Sequence, residues 1–291
     1  MGRQLKVMGA PFQQPEWSAL ALMEAPQFVT EAHRQFIAAG ANIITTNNYA
    51  VVPFHIGQER FEQRGAELNR LSAELAREAV NGAQRPIKIA GGLPPLFGSY
   101  RPDLFQPENA TQQYQQIVSA LAGRVDFWLG ETVASLAEFR AIRSALDGQT
   151  EPFWVSFTLS DEMVGGSAVL RSMESISDML TFISDAHTRK IDGVLFNCSQ
   201  PELTTLALRE ANLFINDQGL DLISGGYANA FTARGTKAEA NNDVAEIRDE
   251  ITPDHYANIV SDWIACGASV IGGCCGIGPE HIEQLSVRFG A

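Results

Sequence analysis

Gly193-Val194-Leu195-Phe196-Asn197-Cys198 decides the fold, because an almost continuous apolar run ends abruptly in an amide and a thiol. Residues 201–214 follow it with the apolar spacing of an amphipathic helix. A strand that is apolar on both faces is typical of a parallel sheet covered by helices, since each of its faces is buried. The stretch is therefore predicted to be the strand of one β-α unit.

The same unit recurs along the chain. Seven strands over about 250 residues predict an α/β fold of the (β/α)8 TIM type, with one of the eight strands missing from the count. A doubly wound open sheet is the alternative, but no GxGxxG follows any strand. We expect residues 1–291 to form a single domain. The predicted strands are 42–46, 87–90, 125–129, 153–159, 193–196, 221–224 and 269–271, and the predicted helices are 27–39, 59–81, 109–122, 133–146, 174–190, 201–214 and 253–266.

Polar residues and glycines are concentrated where the predicted strands end. In a barrel these ends converge on one face, which is where the active sites of this fold lie. A functional site is therefore expected there, and two long loops, 93–108 and 228–252, leave the same face as either lids or plain surface excursions. The first loop carries Tyr100 and Arg101. The strand ends are 45–48, 91–92, 130–131, 197–198, 225–227 and 272–275.

Charge and composition limit the partners. The net charge of −13, without a cluster of Lys or Arg, argues against nucleic acid or an anionic membrane surface, since both attract positive charge. A small-molecule substrate is expected instead. With neither an apolar run of 18 residues nor a signal-peptide pattern at residue 1, the interpretation is a cytoplasmic protein. A homo-oligomer remains open.

Four cysteines are too few and too unevenly spaced for a disulfide framework. Cys198 and the adjacent pair Cys274 and Cys275 end predicted strands, so a barrel would gather them on one face. Three thiolates with a fourth position open are a typical catalytic zinc site. Burial as small apolar side chains is one alternative, and it is favoured for Cys266, which lies on a helix. A redox role is a further alternative, although adjacent cysteines are a strained geometry for a disulfide and no CxxC is present.

Several motifs together resemble the homocysteine S-methyltransferase family, which also includes betaine-homocysteine methyltransferase and the homocysteine-binding module of methionine synthase. The resemblance spans the chain and is strongest at the cysteines. It implies a barrel enzyme in which Cys198, Cys274 and Cys275 hold Zn²⁺, so that methyl transfer from an onium donor to homocysteine gives methionine. The motifs are Gly272 to Gly276, Gly278 to Ile282 and Asn197-Cys198, supported by Trp17 to Leu20, His33, Ala39 to Tyr49, Gly130 to Thr132 and Gly225 to Asn229.

The resemblance also implies substrate contacts. Glu131 would bind the amino group of homocysteine, although a carboxylate favoured by the dipole of the following helix is an alternative role. Trp17 and Tyr49 match positions near the methyl donor, where an aromatic face suits a cation. Core packing is the alternative for both. Thr46 and Asn48 are further candidate substrate contacts.

The donor favoured by the resemblance is S-methylmethionine or S-adenosylmethionine. Betaine is less favoured because Thr132 follows Glu131 where the betaine branch resembles a tyrosine-lined pocket. Another thiol or a selenol is the alternative acceptor. A zinc-binding or thiol-binding protein without turnover is the alternative outside enzymes.

The family opens with a strand that ends in Asp-Gly-Gly-Met-Gly, whereas this sequence begins at Met1-Gly2-Arg3. The eighth strand is accordingly expected upstream of residue 1 or absent. Two open sheet edges would leave backbone groups unpaired, so reduced stability or self-association is expected of this chain.

Overall fold

The structure is a computed structural model that describes residues 1–184, 191–233 and 246–290. Its sheet contains seven parallel strands, and their order in the sheet is their order in the chain. This confirms the predicted TIM-type α/β architecture lacking one strand, since β1 and β7 each pair on one side only in the described part of the chain. The strands are β1 (Ile43–Thr45), β2 (Lys88–Leu93), β3 (Phe127–Val133), β4 (Phe153–Phe157), β5 (Gly193–Asn197), β6 (Ile223–Tyr227) and β7 (Val270–Ile271).

Helices follow or precede the strands and cover the outer face of the sheet. A short 3-10 helix, Pro102–Leu104, interrupts the loop after β2. No helix among the described residues has both the length and the apolar character needed to cross a bilayer. The helices are α1 (Gly2–Val7), α2 (Ser18–Glu24), α3 (Gln27–Ala38), α4 (Pro53–Ile56), α5 (Gln58–Val80), α6 (Pro107–Leu121), α7 (Leu136–Ala145), α8 (Ile176–Ile183), α9 (Pro201–Gln218), α10 (Pro253–Ala265) and α11 (Pro279–Phe289).

All seven predicted strands are present, but β2, β3 and β6 continue three, four and three residues past their predicted ends at 90, 129 and 224. Their glycines were interpreted as strand ends. In the structure Gly91 lies within β2, where an added Cβ would come within 3.0 Å of the Val125 side chain and 3.1 Å of Trp128. Glycine inside a strand here marks close packing, which sequence alone does not distinguish from a turn.

The helix predictions differ from the structure at a few places. The helix predicted over 174–190 begins at Ile176, and residues 185–190 of that prediction lie outside the described part of the chain. The same applies to residues 234–245 of the long loop 228–252. Five helices were not predicted, namely α1, α2, α4, the 3-10 helix and α11, although Pro279 at the first turn of α11 is a helix-start signal.

Local sequence fixes where several helices begin. The Ser135 hydroxyl accepts a hydrogen bond from the backbone N–H of Glu138 at the start of α7, and Ser175 caps α8 in the same way. Proline occupies the first turn of α6, α9, α10 and α11. The serine caps provide a hydrogen-bond partner for an N–H group of the first turn. Proline in the first turn has no N–H group that would need a partner. The carboxyl ends of the strands are thereby joined to well-defined helix starts.

The interior of the curled sheet is filled by an apolar layer to which all seven strands contribute. Phe127 and Trp154 form its centre, with ring centroids 4.5 Å apart. Burial of side chains of this size contributes about 1.5–3 kcal/mol each. The interior is thus a packed core below the strand ends. Its members are Ile43, Ala90, Phe127, Leu129, Trp154, Leu195, Tyr227 and Val270.

A substitution at Gly225 tests the close pairing of β6 with β7. A Cβ at this position would overlap the carbonyl oxygen of Val270, which is backbone and cannot rotate away. We expect Gly225→Ala to lower the free energy of unfolding by roughly 1–3 kcal/mol in urea melts.

Gly82→Ala is the matched control, because an added Cβ there has no heavy atom within 4 Å. Equal stability of the two variants would contradict the packing described for β6 and β7.

Candidate active site

A polar layer lies directly above the apolar layer of the interior. Glu131, Ser156 and Asn197 each come two residues after an interior residue of the same strand, namely Leu129, Trp154 and Leu195. Because side chains alternate along a strand, all three point to the concave side. The face predicted from the strand ends is therefore polar and lies at the carboxyl edge of the sheet.

Glu131 is held inside this polar layer. The Tyr227 hydroxyl donates a hydrogen bond to its Oε1 at 3.4 Å. Burial raises the pKa of Glu131 to about 7, an effect that the amino group of Met1 and the Tyr227 hydroxyl partly oppose. The alternative role in a helix dipole is wrong, since Glu131 lies within β3 and the first-turn carboxylate of α7 is Glu138.

Asn197 joins the ends of three neighbouring strands. Its Oδ1 accepts hydrogen bonds from the backbone N–H of Thr132 at 3.1 Å and from the Ser156 hydroxyl at 2.7 Å. Its Nδ2 donates to the Thr132 hydroxyl at 2.8 Å. All of these atoms are buried, so each bond is costly to lose. Asn197 thereby fixes the backbone immediately before Cys198.

Cys198 leaves the end of β5 in a strained backbone conformation, with a φ of 49°. Its N–H donates to the carbonyl of Tyr227 at 3.3 Å, and its carbonyl accepts from Nδ2 of Asn229 at 2.8 Å. These bonds hold a conformation that costs an L-residue about 1–2 kcal/mol. The hydrogen bonds at its N–H and its carbonyl therefore fix the backbone that carries the Cys198 thiol. The residue is 7% exposed.

The loop after β7 is fastened to the segment that follows β6. The Cys274 N–H donates to the Ala228 carbonyl at 2.8 Å, and the Ala230 N–H donates to the Cys275 carbonyl at 2.9 Å. Tyr256, on α10, donates its hydroxyl to the Gly272 carbonyl at 2.7 Å. Two strand ends and one helix thus determine where the cysteine pair lies.

The sulfur atoms of Cys198, Cys274 and Cys275 all lie within 4.8 Å of one another. Cys198 and Cys274 form a disulfide with Cα atoms 5.6 Å apart, while Cys275 is exposed and lies outside the disulfide. The sequence predicted that these three meet, but not this pairing. Cys266 is a free cysteine at the carboxyl end of α10 and does not belong to the group.

Thr46 and Asn48 bind each other and the neighbouring strand. The Thr46 hydroxyl donates to Oδ1 of Asn48 at 2.8 Å and accepts from the N–H of Gly92 at 3.0 Å. Asn48 in turn donates to Asn69 at 2.7 Å and to the Gly92 carbonyl at 2.9 Å. These contacts tie the end of β1 to β2 and α5. Their predicted role as substrate contacts stays a prediction.

The two aromatic candidates lie in different surroundings. The Tyr49 hydroxyl is 2.6 Å from that of Ser99, and burial raises its pKa well above the usual value. Trp17 packs edge to face on Phe12 with centroids 5.6 Å apart. Tyr49 is close enough to Glu131 for the carboxylate to raise the pKa of Tyr49 further. Trp17, in contrast, is the N-cap residue of α2.

Backbone strain occurs at two of the strand ends. Among the described residues, five other than glycine have a positive φ, and two of them, Thr132 and Cys198, directly follow members of the polar layer. Such conformations cost about 1–3 kcal/mol each and cluster at functional sites. This distribution supports the assignment of the carboxyl edge as the active face. The five residues are Trp17, Tyr100, Thr132, Met173 and Cys198.

Sequence reasoning missed Ser156 and Tyr256 as parts of the site. Ser156 had a detectable signal, since it is a polar residue in the middle of an apolar strand. Tyr256 had none, because its hydroxyl reaches the site only through the packing of α10 on the sheet.

Comparison with known proteins finds a family and several relatives that this chain resembles over nearly its whole length. Residues 1–289 match the family described as homocysteine S-methyltransferase. A selenocysteine methyltransferase of Astragalus bisulcatus is 26% identical, with 98% of this chain and 89% of the relative covered. Homocysteine S-methyltransferase 4 of Zea mays is 24% identical, with 98% and 86% covered. The metallated form of the homocysteine methyltransferase MmuM of Escherichia coli superposes with a TM-score of 0.78 at 26% identity, covering 99% of this chain and 93% of that one.

Removal of the Asn197 side chain tests whether it fixes the backbone at Cys198. Asn197→Ala leaves the Thr132 N–H without its partner, so we expect a loss of roughly 2–4 kcal/mol in urea unfolding. In the reduced protein, Cys198 should also react faster with a maleimide.

Asn216→Ala, an exposed position on α9, is the control and should change neither measurement. Unchanged labelling of Cys198 in Asn197→Ala would contradict the positioning role.

Proposed function

The chain belongs to the homocysteine S-methyltransferase family, and on that premise we propose that it transfers a methyl group from a sulfonium donor to homocysteine, dependent on zinc held by Cys198, Cys274 and Cys275. The observation that carries the metal assignment is the convergence of these three sulfur atoms within 4.8 Å. We also propose that residues 1–291 form one catalytic domain.

The donor set fits zinc. Thiolates are preferred zinc ligands at about 2.3 Å, so sulfur atoms that share one ion cannot be more than about 4.6 Å apart. The three sulfur atoms here lie within 4.8 Å of one another, so small shifts would let them share an ion. The disulfide between Cys198 and Cys274 must be reduced to supply two of the three thiolates. When bound, zinc would lower the pKa of a substrate thiol in its open fourth position, which makes that sulfur a nucleophile at neutral pH.

Glu131 is proposed to bind the ammonium group of homocysteine. It lies in the polar layer on the concave side, and its ionised form is destabilised by burial, as its pKa of about 7 indicates. An ammonium group that enters would restore the charged form by pairing with it. Tyr227 orients the carboxylate through its hydrogen bond. The acceptor would thus be anchored above the apolar layer with its thiol toward the cysteines.

The reaction is a direct displacement at carbon. A lone pair on the homocysteine sulfur forms the new bond to the methyl carbon, while the bond from that carbon to the donor sulfonium breaks. The bonding pair stays on the donor sulfur, which becomes a neutral thioether, and the thiol proton is released to solvent. The protein contributes by holding the acceptor sulfur, the methyl carbon and the donor sulfur in line. The two substrates then do not depend on a rare collision in the correct orientation.

The nature of the donor and acceptor is the finer part of the proposal. We favour S-methylmethionine or S-adenosylmethionine over betaine, and a side-by-side assay with homocysteine tests that order. A selenol acceptor is the second candidate, because a relative across 98% of the chain is a selenocysteine methyltransferase. Rates with homocysteine and selenocysteine should be compared directly.

Loss of one proposed ligand tests the metal site. In reduced, zinc-loaded protein we expect about one zinc ion per chain. Cys275→Ala should retain much less zinc in elemental analysis and should form methionine at least about 100-fold more slowly, since thiol activation requires the metal.

Cys266→Ala is the matched control, because that cysteine lies outside the group of three, and it should keep both zinc and activity. Full zinc content in Cys275→Ala would refute the three-cysteine site.

Replacement of Glu131 tests the ammonium contact. Glu131→Gln should raise the KM for homocysteine by about 10- to 100-fold, the usual effect of losing a charged hydrogen-bond partner. In the wild type this KM should fall as the pH rises through about 7, because only the ionised carboxylate pairs with the ammonium group. The variant should lack that component.

Glu138→Gln is the control, since burial also raises the pKa of Glu138 to about 7 but its partners are Ala134 and Tyr114. If both variants changed the homocysteine KM equally, the specific role of Glu131 would be wrong.

A further inference from the structure

Tyr256 is a fully buried tyrosine on α10 whose hydroxyl group has two backbone partners at the active face. The hydroxyl accepts a hydrogen bond from the N–H of Ala228 at 3.1 Å and donates one to the carbonyl of Gly272 at 2.7 Å. Ala228 directly follows β6, and Gly272 directly follows β7. One side-chain oxygen therefore joins the carboxyl ends of two neighbouring strands.

The Ala228 partner leads directly to two of the cysteines. The carbonyl of Ala228 accepts a hydrogen bond from the N–H of Cys274 at 2.8 Å. The next residue, Asn229, donates from its Nδ2 to the carbonyl of Cys198 at 2.8 Å. A displacement of the Tyr256 hydroxyl would therefore move the backbone contacts of both Cys198 and Cys274.

The loop that carries Cys274 and Cys275 fits closely against the segment after β6. The N–H of Ala230 donates to the carbonyl of Cys275 at 2.9 Å. Gly276 has a φ of 87°, and an added Cβ at this position would come within 2.9 Å of the Ala230 Cβ. Because the two segments are in such close contact, the position of the cysteine loop follows that of the segment after β6.

Two ring contacts hold the Tyr256 side chain in place. Its ring packs edge to face on Trp263 and on His281, with centroids 5.8 Å and 6.1 Å apart. Nδ1 of His281 accepts a hydrogen bond from the N–H of Gly278 at 3.3 Å, and its Nε2 lies 2.9 Å from the carbonyl of Ile251. Gly278 follows the cysteine loop, so His281 binds the end of the loop and Tyr256 binds its beginning.

We propose that Tyr256 is a positioning residue for the zinc site: its hydroxyl group holds the two cysteine-bearing segments at the separation that lets their sulfur atoms share one ion. This inference rests on the proposed function, which supplies the metal. The sulfur atoms lie within 4.8 Å of one another, and thiolates that share one zinc ion stay within about 4.6 Å. Because this tolerance is small, loss of the bond between the two segments should weaken zinc binding.

Tyr256→Phe tests the proposal, because it removes the hydroxyl group and keeps the packed ring. In reduced protein we expect the affinity for zinc to fall about 10- to 100-fold, the usual effect of losing a group that supports the metal ligands. The affinity is measured by competition with a chromophoric chelator, which requires no enzymatic turnover.

Tyr114→Phe is the matched control. Tyr114 is also fully buried, and its hydroxyl donates to the carbonyl of Pro94 at 3.0 Å and to Oε1 of Glu138 at 3.3 Å. Its loss should lower the urea midpoint of unfolding as Tyr256→Phe does, while the zinc affinity stays within about twofold of the wild type. The comparison separates a positioning role from a general loss of stability.

A second measurement needs no zinc. In a glutathione buffer, the thiols of Cys198 and Cys274 lose two electrons and two protons as their disulfide forms, and one glutathione disulfide becomes two glutathione thiols. In metal-free protein, Tyr256→Phe should lower the equilibrium constant of this exchange about 3- to 10-fold, because the effective concentration of one thiol at the other falls. Tyr114→Phe should leave the constant unchanged.

Two results would overturn the proposal in a protein that binds zinc. They are a zinc affinity of Tyr256→Phe within about twofold of the wild type, and an equal loss of affinity in Tyr114→Phe.

The glutathione equilibrium separates this inference from the proposed function. If the wild type binds no zinc, the proposed function fails and this equilibrium alone decides the role of Tyr256. A shift confined to Tyr256→Phe then supports the positioning of the cysteines, and an unchanged equilibrium refutes both.

Discussion

The parallel register of the sheet is the constraint on which the rest of the structure depends. Every strand runs in the same direction, so every carboxyl end reaches the same edge. Residues 198 and 274, separated by 76 positions in the chain, are thereby brought into covalent contact. Local interactions cannot bring these two residues together, because the described part of the segment between them contains two strands and two helices. The sulfur chemistry of the site is thus a consequence of strand pairing.

The change from apolar to polar along the interior accounts for the raised pKa of Glu131. Below the strand ends, Phe127 and Trp154 fill the space and exclude water. Two residues further along their strands, Glu131 and Asn197 face the same interior. The low polarity there raises the pKa of the Glu131 carboxyl group to about 7. A carboxylate in this position gains most from an incoming positive group. The core that stabilises the fold therefore also raises the pKa of the carboxyl group that we propose as the ammonium contact.

Buried hydrogen bonds hold the backbone around Cys198 in a fixed position. Asn197 joins β3, β4 and β5 through buried hydrogen bonds, and Asn229 holds the carbonyl of Cys198. These bonds offset the strain of the positive φ at Cys198. Around this fixed centre, the segments that follow β2, β4, β5 and β6 come together, and the one after β4 carries the ion pair of Arg171 and Asp161. Barrel folds in general carry different substrate preferences on one scaffold by variation of the loops at this edge.

The sequence by itself determined the parallel α/β architecture, the positions of seven strands and the membership of the cysteine group. Each depends on a signal that is local: apolar runs of strand length, the helical spacing that follows, and thiols that end those runs. The predicted ends of β2 and β3 were wrong because their glycines were interpreted as turns, and glycine occurs both in turns and where strands pack closely. Only the tertiary structure decided that Cys198 pairs with Cys274, that Glu131 faces the interior and not a helix dipole, and that Arg171 meets Asp161 beside the cysteines. These facts depend on distances between segments far apart in the chain, which are fixed only when the sheet curls and the helices pack against it.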